Sequence, residues 1–299
     1  MVKQVVSVFG LGSMGFGVAC SALASGHRVF GYDKNAERQS RFLSKGGYSA
    51  EIIAAVQMSD VVVSVLLSGE QTEDVLFGTN GIVPQMRPGS VVVSCATMDP
   101  EKARSLAANC TAHQILYLDA PISGGPIKAL EGELTIMASG AKAAFDASLP
   151  FLEAISQTVY NLGDHAGLGS AMKSINQLLA GVHLAAMGEA LTFGIRQGID
   201  AKLIVDVISK CAGTSWMFEN RGPHVVEGDY TPHSAINIWL KDLGIVLDVA
   251  KELQFSAPLA SVALQQFVSA AGQGFGGEDD AAIAKVYAQN AGLKLPKSG

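Results

Sequence analysis

The sequence predicts an α/β chain in two parts. Residues 1–163 read as a doubly wound parallel sheet and residues 164–299 as an all-α part, the two joined by a long helix. Three observations predict this. Short β-branched apolar runs alternate with helical spacing through the first half. A glycine-rich turn stands between the first such run and the first helix. From Gly163 onward strand signals stop and long helical ones replace them.

The elements follow in order. Residues 5–9 (VVSVF) form an apolar run that reads as a buried parallel strand. Val18, Ala19, Ala22 and Leu23 then recur at helical spacing up to Ser25-Gly26, and residues 27–32 read as a second strand ending on Asp33. Asn35 is placed to cap a short helix through Lys45, and a second short helix spans about 50–58. Residues 61–67 and 90–97 are strand-like. Asp99-Pro100 opens a helix to about 112, with Asp99 as N-cap and proline in the first turn. Residues 115–119, 134–139 and 158–162 complete the strands. In the second half a long helix is expected over 166–194, followed by helices near 201–210, 233–253, 258–271 and 281–290.

The first turn carries the clearest chemistry. Gly10-Leu11-Gly12-Ser13-Met14-Gly15 leaves a strand and opens a helix. In a dinucleotide site Gly10 permits the tight turn, Gly12 lets a pyrophosphate approach the backbone, and Gly15 lets the helix pack on the sheet. The helix start offers unpaired N–H groups and a positive dipole end to the phosphates. Asp33, eighteen residues past Gly15, is placed to accept hydrogen bonds from the adenine-side ribose. A 2′-phosphate beside Asp33 would set two anions together, so NAD is expected over NADP, with Lys34 next door acting the other way.

Composition excludes several classes. With 48% hydrophobic and 16% charged residues the chain is globular. A net charge of −6 with no Lys/Arg cluster argues against nucleic acid as a partner. No apolar run of membrane-spanning length is free of Gly or charge, so no membrane partner is expected. Cys20, Cys95, Cys110 and Cys211 show no metal-ligand spacing and read as buried thiols, and no metal is expected. The absence of a signal peptide and the free thiols fit a cytoplasmic location.

Ligands of doubly wound sheets bind beyond the C-terminal ends of the strands. Leu66-Leu67-Ser68 closes one strand, Thr97 another, and Asp119-Ala120-Pro121-Ile122-Ser123-Gly124-Gly125 follows a third. Ser-Gly-Gly offers a hydroxyl and unhindered N–H groups to a carboxylate, and reads equally as an ordinary turn. On the long helix Lys173, Asn176, Ala180 and His183 share one stripe. Lys173 reads either as a general acid or base or as a lysine snorkelling to solvent. His183 reads as a core histidine or a polar ligand group. Lys241-Asp242 is functional or simply exposed.

Taken together, Gly10 to Gly15, Asp119 to Gly125, Lys173-Ser174-Ile175-Asn176-Gln177 and Lys241-Asp242-Leu243 make the chain resemble the β-hydroxyacid dehydrogenase family over nearly its full length. That family includes enzymes for 3-hydroxyisobutyrate, tartronate semialdehyde and L-threonate. The resemblance implies an NAD-binding Rossmann domain over 1–163 and a helical substrate and dimerisation domain over 164–299. The apolar helices point to a homodimer or homotetramer. It implies Lys173 as the catalytic lysine, and Ser123, Gly124 and Gly125 as the loop for the substrate carboxylate. Asn176 then binds substrate, and Thr97 and Lys241 lie near the nicotinamide, with Leu66 and Leu67 also on the cofactor. The runs 176–183, 215–221 and 228–232 are most similar to the threonate branch, in which His183 would meet an additional hydroxyl. The resemblance also leaves room for a tartronate semialdehyde reductase or a non-catalytic dinucleotide-binding module.

Overall fold

The computed structural model describes residues 2–297. Contacts divide the chain into two compact units, Met1–Lys173 and Ser174–Gly299. The first contains β1 (Val5–Phe9), α1 (Ser13–Ala24), β2 (Arg28–Tyr32), α2 (Ala36–Ser44), α3 (Ile52–Met58), β3 (Val61–Ser64), α4 (Gly69–Phe77), β4 (Val91–Ser94), α5 (Pro100–Ala112) and β5 (Leu116–Asp119). It continues through β6 (Ile122–Ser123), α6 (Gly125–Glu131), β7 (Leu134–Ala138), α7 (Lys142–Ile155) and β8 (Ser156–Asn161) to the first residues of α8 (Leu168–Arg196).

Five strands form one parallel sheet in the order β2-β1-β3-β4-β5. Each is short and nearly all buried, because helices cover both faces. The register aligns Tyr32, Phe9, Ser64, Ser94 and Asp119 in one row, so the loops after these strands leave from one edge. The strand order reverses between β1 and β3, which places the glycine turn at the switch point. Sequence-expected caps are present: Asn35 accepts from Glu37 N–H at 2.9 Å, and Asp99 from Glu101 N–H at 2.6 Å.

Several expectations are corrected. The strands expected over 134–139 and 158–162 do not extend the main sheet; they form a second sheet, β6-β7-β8. The chain turns at Pro121, and Ile122 and Ser123 then pair antiparallel with β7, which diverts β7 from the parallel stack. The two sheets are tied by mutual backbone hydrogen bonds between Asp119 and Ser139 at 3.0 and 2.8 Å. Helices α7 and α10, which the sequence reading does not place, carry an internal Pro150 and Pro223. Of the four thiols, Cys95 and Cys110 are buried, but Cys20 is only partly so and Cys211 is exposed.

The second unit is helical: the remainder of α8, then α9 (Ala201–Ile208), α10 (Trp216–Glu227), α11 (Ile236–Glu252), α12 (Pro258–Ala270) and α13 (Ile283–Asn290). Its core includes Leu184, Met187, Leu191, Leu243 and Phe267, with Trp239 stacked on Phe267. Buried Asp280 joins α10 to α11, accepting from Arg221 Nε at 2.6 Å and Trp239 Nε1 at 2.9 Å. Among the described residues α8 alone is long and apolar enough to cross a membrane by length and composition. Its apolar residues Leu184, Met187 and Leu191 are spent in this core.

Candidate active site

The glycine turn after β1 is shaped by three different constraints. Gly10 has φ +96°, and a Cβ there would lie 2.3 Å from Val65 O, so the turn presses on the loop after β3. At Gly15 a Cβ would lie 1.9 Å from Gly10 O, which is how closely α1 packs on its own strand. Gly12 is the opposite case: its φ is −65°, and the nearest atom to a Cβ would be Arg38 Nη1 at 3.9 Å. Among the described residues only the tip of Arg38 borders the space at Gly12, which is the cradle a pyrophosphate needs. The start of α1 at Ser13 and Met14 has no side-chain cap, so its first N–H groups remain for such a ligand.

Asp33 lies at the end of β2, on the same edge. Its carboxylate accepts from Leu11 N–H and Asn35 N–H, both at 2.8 Å, with Arg38 Nη1 at 3.5 Å. Burial alone would raise its pKa; these hydrogen bonds and Arg38 outweigh burial and hold it below the usual carboxylate value. It is therefore an ionised acceptor at neutral pH. The residues present thus fit a dinucleotide, with an open phosphate cradle and a ribose acceptor on one edge. Leu66 is half-buried and abuts the Gly10 turn. Leu67 is exposed, and its N–H donates to Gln71 Oε1 at 3.2 Å. Thr97 is half-buried between β4 and α5.

The second cluster of the first unit is assembled around Lys173. This lysine does not snorkel: it is only 9% exposed, and its Nζ donates to Ile122 O at 2.9 Å. Ile122 directly precedes Ser123, Gly124 and Gly125, where both glycines have positive φ, +132° and +81°. Lys173 Nζ and the candidate carboxylate loop are thus held by one contact.

Asp119 sets this arrangement, a role spacing alone does not disclose. It is fully buried and serves the first turn of α8: Gly167 N–H, Ser170 N–H and Ser170 Oγ donate to it at 2.9, 2.8 and 2.7 Å. Ser139 Oγ in turn accepts from Gly169 N–H at 2.9 Å. A carboxylate at a helix N-terminus satisfies orphan N–H groups and meets the positive end of the dipole. Burial pushes Asp119 up from the usual carboxylate range, against the opposing pull of Ser170 and Gly167.

In the second unit, Asn176 Nδ2 donates to Gln177 Oε1 at 2.8 Å. Gln177 Nε2 donates to buried Asp242, which also accepts from Lys241 Nζ on α11. Lys241-Asp242 is therefore not an exposed pair. His183 is half-buried on the stripe of Asn176. The sequence assigns Gln177 no role and leaves Asp242 as functional or simply exposed; the signal for both is their place in the Lys-Ser-Ile-Asn-Gln and Lys-Asp-Leu stretches. Among the described residues no group of three or more His, Cys, Asp or Glu side chains could hold a metal ion.

Comparison with known proteins bears on both halves. Residues 5–163 match the family model for the NAD binding domain of 6-phosphogluconate dehydrogenase. Residues 167–287 match that for the NAD-binding of NADP-dependent 3-hydroxyisobutyrate dehydrogenase. The chain is 46% identical over 296 residues to an L-threonate dehydrogenase of Cupriavidus necator, covering 99% of each. It is 43% identical to an L-threonate dehydrogenase of Escherichia coli, covering 97% of this chain and 96% of that one. A crystal structure of a 3-hydroxyisobutyrate dehydrogenase from Salmonella typhimurium superposes with a TM-score of 0.89 at 45% identity, covering 94% and 99% of the two chains.

Proposed function

We propose, because this chain belongs to the 3-hydroxyisobutyrate dehydrogenase-like family of β-hydroxyacid dehydrogenases, that it oxidises L-threonate at C2 to the 2-oxo acid with NAD. It is an oxidoreductase that uses a nicotinamide dinucleotide and acts on a small hydroxy acid. The observation that carries the proposal is Lys173 Nζ, buried and bound to Ile122 O one residue before the Ser123-Gly124-Gly125 loop.

Each residue then has a task. Gly10 to Gly15 hold the pyrophosphate and Asp33 the adenine-side ribose, where a 2′-phosphate would face a second anion. Leu66, Leu67, Thr97 and Lys241 are assigned to the cofactor. Bound there, NAD supplies the acceptor for the hydride that leaves C2. Ser123 Oγ and the N–H groups of Gly124 and Gly125 receive the substrate carboxylate. Lys173, as the neutral amine, takes the proton of the C2 hydroxyl while the C2–O bond becomes a carbonyl. Asn176 and His183 take hydroxyls of the four-carbon chain. The same reading divides the labour between a nucleotide-binding part, 1–163, and a helical substrate and dimerisation part, 164–299. It takes the protein as a cytoplasmic homodimer or homotetramer.

The test is the initial rate of NADH formation with L-threonate, D-threonate, D-glycerate and 3-hydroxyisobutyrate, each with NAD and with NADP. Activity concentrated on L-threonate with NAD is the expected result. A preference for D-glycerate would refute the threonate assignment and leave His183 without its task, in favour of a tartronate semialdehyde reductase.

A further inference from the structure

We propose that Gln177 and Asp242 are positioning residues that set which end of the Asn176 amide faces the substrate. The inference rests on the reading above that Asn176 contacts the hydroxy acid. A side-chain amide presents a donor on one branch and an acceptor on the other, and nothing in its shape decides which goes where. Here the carboxylate of Asp242 decides: its Oδ1 accepts from Lys241 Nζ, and the Nε2 end of Gln177 donates to its Oδ2. Gln177 then turns Oε1 toward Asn176, which must answer with Nδ2, at 2.8 Å. Asn176 Oδ1 is left on the other branch as an acceptor. Asp242 and Gln177 are 3% and 7% exposed, so water does not substitute for either partner.

The backbone is arranged to let this happen. Gly181 lies one turn beyond Gln177 on α8, and a Cβ there would come within 2.9–3.1 Å of the Leu243 side chain, next in sequence to Asp242. Leu243 is fully buried. The missing side chain at Gly181 therefore brings α11 close enough for Asp242 to reach Gln177. The consequence is a substrate rule: Asn176 reads a hydroxyl proton, and an acid lacking a hydroxyl at that position leaves a polar group unpaired.

The test uses the full-length enzyme with Asn176→Ala, Gln177→Met, their double variant and Gly181→Ala. The readouts are kcat and KM for L-threonate with NAD, and calorimetric binding of L-threonate to the enzyme–NADH complex. Gln177→Met keeps the volume and removes both hydrogen bonds while leaving the Lys241–Asp242 pair in place. The expected result is a rise of about tenfold in KM and in the dissociation constant for each single variant, a smaller change in kcat, and a double variant no worse than the worse single one. Gly181→Ala is expected to move the same two constants in the same direction, although alanine is the better helix former.

Gln177→Met within twofold of wild type, or a double variant showing the product of the two single losses, would overturn the relay. Asn176→Ala within twofold would instead overturn the reading that this side chain meets the substrate. Losses confined to thermal stability, with KM unmoved, would reduce Gln177 and Asp242 to packing.

Discussion

Alanine placed at Gly12 and at Gly15 should produce opposite phenotypes, although the two glycines belong to one turn. At Gly15 the new methyl carbon would lie 1.9 Å from Gly10 O and 3.2 Å from Val65 Cβ. Reaching ordinary contact requires α1 to retreat from β1 by more than an ångström, across a core in which Val18, Ala19 and Ala22 are fully buried. Overpacking of this kind costs about 1–3 kcal/mol and more where backbone must move. At about 2–4 °C per kcal/mol for a unit of this size, Gly15→Ala should lose on the order of 10 °C or fail to fold. At Gly12 the methyl meets nothing closer than 3.9 Å, and φ of −65° suits any residue. The stability cost is that of a poorer N-cap, at most about 1 kcal/mol. The methyl does occupy the space assigned to the pyrophosphate, so NADH affinity should fall by about a hundredfold or more. Thermal unfolding of the cofactor-free proteins, paired with NADH fluorescence titration, measures both quantities. A Gly12→Ala protein that binds NADH like wild type would refute the cradle. A Gly15→Ala protein as stable as wild type would refute the packing argument.

Three further outcomes are expected. Lys173→Ala should lower kcat by orders of magnitude while NADH still binds; near-normal turnover in a rate assay would remove Lys173 from proton transfer. Asp33→Ala should raise kcat/KM with NADP relative to NAD by about tenfold, since it removes the anion and frees Arg38, now 3.5 Å from Asp33, for a 2′-phosphate; an unchanged ratio would refute that role. His27 is buried, and its Nδ1 accepts from Gln4 N–H at 3.1 Å, so the native ring is neutral. Burial, chiefly, lowers its pKa from the ordinary 6.5. Its contribution is therefore complete above pH 6.5 and is lost as pH falls through the lower native value. Urea midpoints should drop between pH 7 and 5 more steeply in wild type than in His27→Asn.

Local features were legible in the sequence because local physics decides them. The glycine turn, the Asn35 and Asp99 caps and the stripe of Lys173, Asn176 and His183 follow from backbone conformation and helical period. What escaped depends on partners distant in the chain. Strand periodicity reports which residues alternate, not which strand lies alongside, so β7 and β8 were assigned to the wrong sheet. Helices α7 and α10 went unplaced because each holds an internal proline, Pro150 and Pro223, which local propensity disfavours and tertiary packing tolerates. Lys173 left two readings open until its bond to Ile122 O excluded solvent. Gln177 and Asp242 lie 65 positions apart, and no spacing rule joins them.

The tie between Asp119 and the start of α8 also dictates an order of events as the chain folds. The N–H groups it satisfies are 48 and 51 residues further along, beyond β6, α6, β7, α7 and β8. Ser139, which completes the clasp, arrives only with β7. Until both strands are laid down, α8 has no carboxylate to close its first turn, and Lys173 has no fixed address. Lys173 therefore reaches its place beside Ile122 only once these distant segments have come together. On refolding, activity is expected to return no earlier than the sheet, which circular dichroism followed beside a rate assay would check.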